Sequence, residues 1–229
     1  MKNLNLLLAN YYRKQTPNEV IFKRHDGVTF SLPSQDFFDP DKITSLDRKA
    51  LDLAKGDVLV IYGLTGRYAL ELQTKGMNVY SIDPSKENIE LKVEQGVQGV
   101  IDIDILEFSG LEFDTLLLLG DSSMRLGSLN NLNKVLKHAT QLFNEGGCLL
   151  FKSLDLEKAK CDMPFANDPS ASYAGEIRCH VPFDEAEGDE MQLLFVDFDT
   201  LKKSAQEHGL NCEQIETEGS GYLAKLTQA

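Results

Sequence analysis

The sequence has 229 residues, of which 42% are hydrophobic and 26% are charged, and its formal net charge is −13 because 36 acidic residues stand against 23 basic ones. A chain of this length and composition can bury the core of one globular domain, and it is not disordered as a whole. The acidic balance argues against nucleic acid and anionic membrane surfaces as partners, because both repel negative charge.

The first predicted element is an amphipathic helix. Leu4, Leu7 and Leu8 recur at helical spacing within the sequence MKNLNLLLANYYRK. Its apolar run is too short for a signal peptide, and no stretch of the sequence reaches the length of a membrane span. We therefore expect a cytoplasmic protein.

The cysteines are far apart in the sequence, at Cys148, Cys161, Cys179 and Cys212, and none of them forms a CxxC pair. This spacing argues against a zinc site or a disulfide framework and favours free thiols in a reducing compartment. No metal is predicted.

A β-hairpin is predicted after the first helix, because Val20–Lys23 and Val28–Leu32 flank an Asp-Gly turn. A helical pattern that ends at Gly56 completes a predicted N-terminal extension, residues 1–55. Beyond it, apolar strand candidates alternate with helical patterns, which indicates an α/β fold with a mainly parallel sheet. The candidates are Val58–Tyr62, Val79–Ile82, Gly99–Ile103, Phe113–Leu119 and Gly147–Phe151.

The helical pattern before the fifth strand is the clearest in the chain. Its apolar residues run from Leu129 to Phe143 at steps of three and four, and Glu145–Gly147 is expected to end it. A polar loop is predicted from Leu154 to Ser172.

Two further strands, Glu176–Phe183 and Met191–Phe195, are predicted to form an inserted β element around residues 173–196. A helix capped by Asp199 or Thr200 should follow, and a hairpin should close the chain. Its strands are Leu210–Ile215 and Tyr222–Leu226. No linker divides the sequence, so we predict one structural unit with a main domain at residues 56–229. The inserted element is the predicted place for any oligomer contact.

The segment Gly56–Asp83, GDVLVIYGLTGRYALELQTKGMNVYSID, is the most informative part of the sequence. An apolar strand ends in a glycine-containing turn, a helix opens, and a second strand ends in an acid. Such a unit places backbone N–H groups at a helix N-terminus and a carboxylate where the ribose hydroxyls of a nucleoside would lie. It predicts an adenosine-bearing cofactor.

The region from Asp57 to Leu226 resembles the class I S-adenosylmethionine-dependent methyltransferases of the small-molecule branch. VLVIYGLTGRYALEL is similar to their first motif, commonly VLDxGCGTGRxALxL, and VYSIDPSKENIE to their second. FDTLLLLGDSS, LFNEGGCLLF and GYLAKL resemble the fourth-strand motif, the segment before strand five and the last strand. The resemblance implies a doubly wound, mainly parallel seven-stranded Rossmann-like sheet with an antiparallel last strand. It also implies S-adenosylmethionine as the cofactor and a small molecule as the methyl acceptor.

The resemblance assigns cofactor contacts to residues at the strand ends. Asp83, followed by Pro84, would accept hydrogen bonds from both ribose hydroxyls, unless Asp83 instead caps the helix near Ser85. Asp104 would face the adenine amine, with Asp102 as its competitor, unless both are solvated carboxylates. The turn beneath the methionine portion would consist of Tyr62, Gly63, Thr65, Gly66 and Arg67.

The end of the fourth strand would lie near the methyl donor and acceptor. Gly120 is expected to contact the cofactor, and Asp121 is the predicted catalytic residue, since a carboxylate there would favour the positive sulfonium or orient a nucleophile. The alternative role of Asp121 is to cap the helix near Leu126, a role for which Ser122 and Ser128 compete.

Three residues of the inserted element are weaker candidates for substrate contacts: Tyr173, Arg178 and His180. His180 could act as a general base if it reached the acceptor proton. A histidine on a surface strand with no catalytic role is the alternative.

The first motif departs from the family pattern at three positions. Val60 replaces the acid, Tyr62 the first glycine and Leu64 the central glycine. Either the turn has rearranged around a functional pocket, or Tyr62 fills the pocket and the protein is a catalytically silent binding or scaffolding relative. A nicotinamide-dependent oxidoreductase is disfavoured, because the sequence lacks G-x-G-x-x-G.

Overall fold

The structure is a computed structural model that describes residues 2–16, 18–159, 171–184 and 186–229, with the backbone but not the side chain of Asp121. Its α-helices are α1 (Lys2–Lys14), α2 (Ser45–Leu53), α3 (Arg67–Thr74), α4 (Lys86–Glu94), α5 (Asp121–Met124), α6 (Leu129–Ala139), α7 (Leu156–Ala159) and α8 (Phe198–Glu207). Its strands are β1 (Glu19–Arg24), β2 (Thr29–Pro33), β3 (Asp57–Ile61), β4 (Asn78–Asp83), β5 (Val100–Asp102), β6 (Phe113–Leu118), β7 (Phe143–Leu154), β8 (Glu176–His180), β9 (Met191–Leu194), β10 (Leu210–Glu218) and β11 (Gly221–Gln228). Two short 3-10 helices, Ser34–Phe37 and Pro40–Lys42, lie between β2 and α2.

The main sheet has seven strands in the order β10-β11-β7-β6-β3-β4-β5. Strands β3 to β7 are parallel to one another, whereas β11 runs antiparallel to both β7 and β10. The chain moves outward from β3 to β5 and then returns to β6 on the other side of β3. The carboxyl ends of β3 and β6 therefore border the point where the strand order reverses, which is where open α/β sheets bind ligands.

A second, four-stranded antiparallel sheet has the order β2-β1-β8-β9. The N-terminal hairpin and the inserted element build it together, because Lys23 pairs with His180 and Arg24 with Cys179. The predicted hairpin and inserted strands are thus parts of one sheet, which their sequence patterns did not indicate.

Both faces of the main sheet are apolar because helices cover both of them. Leu132, Val135 and Leu136 of α6 are buried in the cluster on one face, together with α8 residues, whereas α2 and α3 cover the other face. A third apolar cluster joins α1 to the second sheet. The seven-stranded fold with an antiparallel last strand is the one predicted from the sequence.

The transition from α6 to β7 differs from the prediction. The helix ends at Ala139, and the strand begins at Phe143, before the glycines that were expected to stop the helix. Phe143 pairs with Phe113 of β6, and the register shifts before Thr115 pairs with Cys148. Gly147 lies in this irregular stretch, where a Cβ would come within 2.7 Å of the Phe113 carbonyl oxygen. Leu142 lies in the turn before the strand and Phe143 at its start, and both are buried in the apolar cluster on this face, so helical spacing alone was misleading.

The start of α8 also differs from the prediction. Its N-cap is Asp197, whose carboxylate accepts a hydrogen bond from the Thr200 backbone, whereas Asp199 is exposed. A residue that caps a helix has an extended backbone, and its side chain accepts from an amide two or three residues later. Phe198, which packs against Tyr222, already belongs to the helix.

Most of the predicted polar loop before β8, including Cys161, lies outside the described residues. Cys148, Cys179 and Cys212 are free thiols, and the described part of the chain holds no cluster of His, Cys, Asp and Glu suited to a metal ion. Across the same ranges, every helix is too short or too polar to cross a membrane. The domain limits at residues 55 and 56 stay a prediction.

Candidate active site

The turn after β3 places Tyr62 at the topological switch point. Its φ of 59° is in the left-handed region, where a residue with a Cβ is strained by about 1–2 kcal/mol. Gly66, at φ 86°, opens α3, and a Cβ there would lie 2.8 Å from a methyl group of Val97. Tyr62 therefore adopts a glycine-like backbone at the position where the family has glycine.

The Tyr62 side chain extends toward the end of β5. Its hydroxyl donates a hydrogen bond to Asp104 at 2.7 Å, and the residue is only 7% exposed. Burial and the hydrogen bond to Asp104 raise the pKa of Tyr62 above its ordinary value, so it stays protonated and donates. A cavity of about 150 Å³ remains beside the ring. It is lined by Tyr62, Asp104, Leu106, Arg125, Leu126, Asn131 and Val135.

Asp83, at the tip of β4, is fully buried and surrounded by donors. Nη1 of Arg125 lies 2.6 Å from Oδ2, and Nη2 lies 3.1 Å from Oδ1. The Ser85 backbone, Asn88 and Lys92 donate three further bonds, at 3.0, 3.1 and 3.4 Å. Burial alone would raise the pKa of this carboxyl, but the charges of Arg125 and Lys92 outweigh burial and hold it below the ordinary value. Asp83 is therefore ionised at neutral pH.

Lys92 of α4 forms an ion pair with Asp83, and its side chain is also fully buried. Burial lowers the pKa of Lys92 to about 8, although the negative charge of Asp83 opposes this shift. Its stem lies next to Gly66, whose missing Cβ would come within 3.1 Å of Lys92 Cγ. The glycine turn and the buried lysine thus fit together under the strand ends.

Arg125 connects the two strand ends. Besides its two contacts with Asp83, its Nη1 donates to the Tyr62 carbonyl oxygen at 3.0 Å, and its guanidinium carbon lies 5.1 Å from the centre of the Tyr62 ring. Contacts of this kind between an arginine and an aromatic ring are attractive. Arg125 follows the last residue of α5, and only 8% of its side chain is exposed.

The end of β6 adjoins a second buried ion pair. Gly120 has φ 41° and ψ −102°, a conformation that suits glycine. Close to it, Nζ of Lys152 lies 2.8 Å from Asp47 and 2.7 Å from the Thr44 hydroxyl. The other carboxylate oxygen of Asp47, Oδ1, is buried without a hydrogen-bond partner among the described residues. A Cβ at Gly120 would lie 3.8 Å from this oxygen.

A larger apolar cavity of about 190 Å³ opens from Gly120 and Arg125 toward the second sheet. Its walls come from α1, from β1 and β2, from the first motif and from the ends of β7 and β9. The lining residues are Leu4, Phe22, Phe30, Leu32, Phe37, Leu64, Gly120, Ser123, Met124, Arg125, Lys152, Ser153, Leu154, Leu193 and Phe195. Leu64, at the position of the family's central glycine, forms part of this wall.

Comparison with known proteins supports the family. Neither models of protein families nor curated protein sequences gave a match. Among solved structures, an S-adenosylmethionine-dependent methyltransferase from Bacteroides fragilis, crystallised in complex with S-adenosyl-L-homocysteine, is 28% identical, with a TM-score of 0.85 over 99% of this chain and 94% of that one. The chain has the fold of the class I S-adenosylmethionine-dependent methyltransferases and is similar to this enzyme over nearly its whole length.

More distant solved structures share the fold. CcbJ methyltransferase from Streptomyces caelestis is 16% identical, with a TM-score of 0.65 over 84% of this chain and 99% of that chain. The structure described as a DhpI-SAM-HEP complex is 17% identical, with a TM-score of 0.63 over 84% of this chain and 90% of that chain. The predicted family, fold and enzyme class are confirmed.

In this methyltransferase the predicted cofactor residues meet at one edge of the sheet. Tyr62 and Asp104 are bonded to each other, and Asp83 is joined to Tyr62 through Arg125. Gly63 lies in the same turn, and Gly120 ends the neighbouring strand. Pro84 is exposed beside Asp83. Asp121 begins α5, directly after Gly120, but its side chain lies outside the described part of the structure.

Thr65 and Arg67 attach the turn to the N-terminal segment. The Thr65 hydroxyl donates to the Phe37 carbonyl at 2.7 Å, and the Arg67 guanidinium donates to the Asp36 carbonyl at 2.8 Å. Both contacts fix the first motif of the methyltransferase against the 3-10 helix Ser34–Phe37.

None of the candidate substrate residues of the inserted element is among the described residues that line the apolar cavity. The Tyr173 hydroxyl donates to Asp197 at 2.6 Å, which makes it a support for α8. Arg178 is exposed on β8, and Nε2 of His180 is buried without a hydrogen bond to a described residue. Their roles as substrate contacts stay predictions.

Sequence reasoning missed the residues that organise the site: Arg125, Lys92, Asp47 and Lys152. No motif spacing marks Arg125, which lies four residues after Asp121. The only sign of Lys92 in the sequence is its place on a helix that must pack on the sheet, six residues after Lys86. The ion pair of Asp47 with Lys152 joins residues 105 positions apart, so no local pattern in the sequence marks it.

Proposed function

We propose that the protein transfers a methyl group from S-adenosylmethionine to a small molecule, with the cofactor bound across the carboxyl ends of β3, β4 and β6. The observation that carries this proposal is the ionised carboxylate of Asp83 at the tip of β4, next to a glycine-containing turn and an apolar cavity. In doubly wound nucleotide-binding folds, an acid about 20 residues after the glycine turn accepts hydrogen bonds from the ribose. The B. fragilis methyltransferase, which binds S-adenosyl-L-homocysteine, supports the same conclusion.

The residues present fit this cofactor. Asp83 has the two acceptor oxygens that a ribose diol needs, and Asp104 supplies an acceptor beside the smaller cavity. Oδ1 of Asp47 has no hydrogen-bond partner among the described residues and lies close to Gly120. It is an acceptor for the ammonium group of the cofactor, in place of the acid that the first motif lacks. A buried acceptor without a partner is unfavourable by about 1–3 kcal/mol, so a donor in the ligand would relieve it.

When bound, the cofactor supplies an electrophilic methyl group on a sulfonium, and in-line displacement by a nucleophilic atom leaves S-adenosylhomocysteine. The protein orients the cofactor and the methyl acceptor and excludes water from the site. Asp83, Asp104 and Asp47 hold the cofactor's polar ends, while Leu64, Phe37 and the other cavity walls exclude water from the acceptor. Orientation in a dry site is a large part of catalysis for a displacement of this kind, so no acid–base pair is required.

Calorimetric titration with S-adenosylhomocysteine tests the proposal. The wild type should bind, and Asp83→Asn should bind at least tenfold more weakly, because an amide offers one acceptor oxygen to two ribose hydroxyls. The matched control is Asp102→Asn, since Asp102 pairs with Asp83 across β4 and β5 but is exposed. This control should leave the affinity unchanged.

The catalytically silent alternative has one structural observation in its favour. Both oxygens of Asp83 are engaged by Arg125, so the ribose position is closed by a residue of the chain itself. Absence of binding at millimolar S-adenosylhomocysteine, in the wild type and in variants of Arg125 alike, would select this alternative and refute the enzymatic proposal.

A further inference from the structure

The Arg125 guanidinium occupies the two acceptor positions that a ribose would use. It forms a bidentate pair with Asp83, one nitrogen to each carboxylate oxygen. A carboxylate has about four acceptor positions. The Ser85 backbone, Asn88 and Lys92 donate three bonds, and Arg125 donates two more, so the acceptor capacity of Asp83 is already used up. The two hydroxyls of a diol can therefore replace the two Arg125 bonds but cannot be added to them.

Displacing Arg125 leaves a buried cation in need of a partner. Its side chain lines both the smaller cavity beside Tyr62 and the larger apolar cavity. A charge moved from an ion pair to an apolar wall is strongly unfavourable unless an opposite charge meets it. Lys152, the other cation of the larger cavity, is already held by Asp47 and Thr44.

An anionic ligand group in the larger cavity would meet this requirement. The guanidinium plane matches carboxylate and phosphate groups through two parallel hydrogen bonds. Most of the remaining wall is apolar and includes Phe22, Phe30 and Phe37, which suits a hydrocarbon or aromatic body. The cavity volume of about 190 Å³ limits the ligand to a small molecule.

We propose that Arg125 serves both ligands in turn. In the free protein it pairs with Asp83, and once ribose hydroxyls hold Asp83 it binds the carboxylate or phosphate group of an otherwise apolar methyl acceptor. The inference rests on the proposed function and names its substrate class. It implies that the cofactor binds before the acceptor, and that each ligand raises the affinity for the other by the same factor.

The first experiment measures S-adenosylhomocysteine affinity by calorimetry in Arg125→Gln, Arg125→Lys and the wild type. Arg125→Gln should bind at least fivefold more tightly, because it removes the competing guanidinium, and Arg125→Lys should lie between the two. The matched control is Arg13→Gln, which removes a bidentate pair with Glu94 on the surface and should change nothing.

Equal or weaker binding by Arg125→Gln would overturn the inference and leave the proposed function intact. Binding by Arg125→Gln alone, with none by the wild type, would support the competition in its strongest form. If no protein binds, the proposed function fails and the inference fails with it. Urea denaturation of each variant verifies that it is folded.

The second experiment titrates 3-phenylpropanoate, phenyl phosphate and 3-phenylpropanamide, with and without saturating S-adenosylhomocysteine. At least one of the two anions should bind tenfold more tightly in the presence of S-adenosylhomocysteine. The anion that binds better indicates whether the site prefers a carboxylate or a phosphate. The neutral amide should show no such gain. Arg125→Gln should abolish the preference. An amide that binds as well as both anions, or anion binding that is independent of S-adenosylhomocysteine, would overturn the inference.

Discussion

Tyr62 adopts the backbone conformation that the glycine motif requires, although its side chain is large and aromatic. The turn after β3 requires a positive φ, which glycine adopts without strain, and Tyr62 adopts 59° there. Its ring compensates for the strain by burial, by the hydrogen bond to Asp104 and by its contact with Arg125. The bulky side chain is directed along the strand ends toward β5, and a cavity remains beside it.

The backbone strain at Tyr62 can be measured by comparing two substitutions. Tyr62→Ala and Tyr62→Gly both lose the ring and should lower the free energy of unfolding by about 3–5 kcal/mol. Only glycine relieves the left-handed backbone, so Tyr62→Gly should be more stable than Tyr62→Ala by about 1 kcal/mol. Urea denaturation gives both values. Equal stability of the two variants would show that the turn is not strained.

The start of α8 illustrates the element scale. Asp197 accepts hydrogen bonds from the Thr200 backbone and hydroxyl, at 2.9 and 2.7 Å, and from Tyr173 at 2.6 Å. Burial alone would raise the pKa of Asp197, but the hydrogen bonds from Tyr173 and Thr200 outweigh it and lower the pKa. One carboxylate thus caps the helix and connects it to the chain before β8.

Replacing the cap should destabilise the protein in a pH-dependent way. Asp197→Ala should lower the free energy of unfolding at pH 7 by about 1–2 kcal/mol, because a cap is lost. Since the folded pKa is depressed, the stabilisation by Asp197 is present above the unfolded pKa of about 3.9 and disappears as the pH falls through the lower folded value. The difference between wild type and variant in urea denaturation should therefore shrink at acidic pH.

The exposed Asp199 provides the control for this prediction. Asp199→Ala should change the free energy of unfolding by less than about 0.5 kcal/mol, as surface substitutions usually do. A larger effect at Asp199 than at Asp197 would mean that the sequence-based choice of cap was correct after all.

On the scale of the whole molecule, a buried ion pair holds the N-terminal segment and the sheet together. Lys152 of β7 contacts Asp47 and Thr44 of the α2 region, with 11% of its side chain and 1% of that of Asp47 exposed. The second sheet also connects the N-terminal segment to the rest of the chain, because β1 pairs with β8 of the inserted element. We infer that residues 1–55 unfold together with the main domain rather than before it.

Breaking the Lys152–Asp47 pair tests this coupling. Lys152→Met should lower the free energy of unfolding by about 3–5 kcal/mol, because it leaves Asp47 buried and charged, and the double variant with Asp47→Leu should recover most of the loss. As a control, Lys75→Met removes an exposed pair with Asp52 and should change stability by less than about 1 kcal/mol. Urea denaturation should remain a single transition throughout; a first transition confined to the N-terminal segment would refute the coupling.

The sequence determined the fold because local rules specify it. Alternating apolar strands and amphipathic helices predict a parallel α/β sheet, and the glycine turn with Asp83 about 20 residues later marks the nucleoside edge. Element ends were less certain where two patterns coincide. Leu142 and Phe143 continue the helical spacing of α6, yet Leu142 lies in a turn and Phe143 begins β7, where it pairs with Phe113 of β6.

Only the tertiary structure decided how the site is connected. Arg125 reaches Asp83 from 42 residues away, and Lys152 reaches Asp47 from 105, since distant segments meet where strand ends converge. The direction of the Tyr62 ring and the union of the hairpin with the inserted element were decided in the same way. Short-range periodicity encodes which face of an element is buried, whereas the choice of partner for a buried charge depends on the packing of the whole chain.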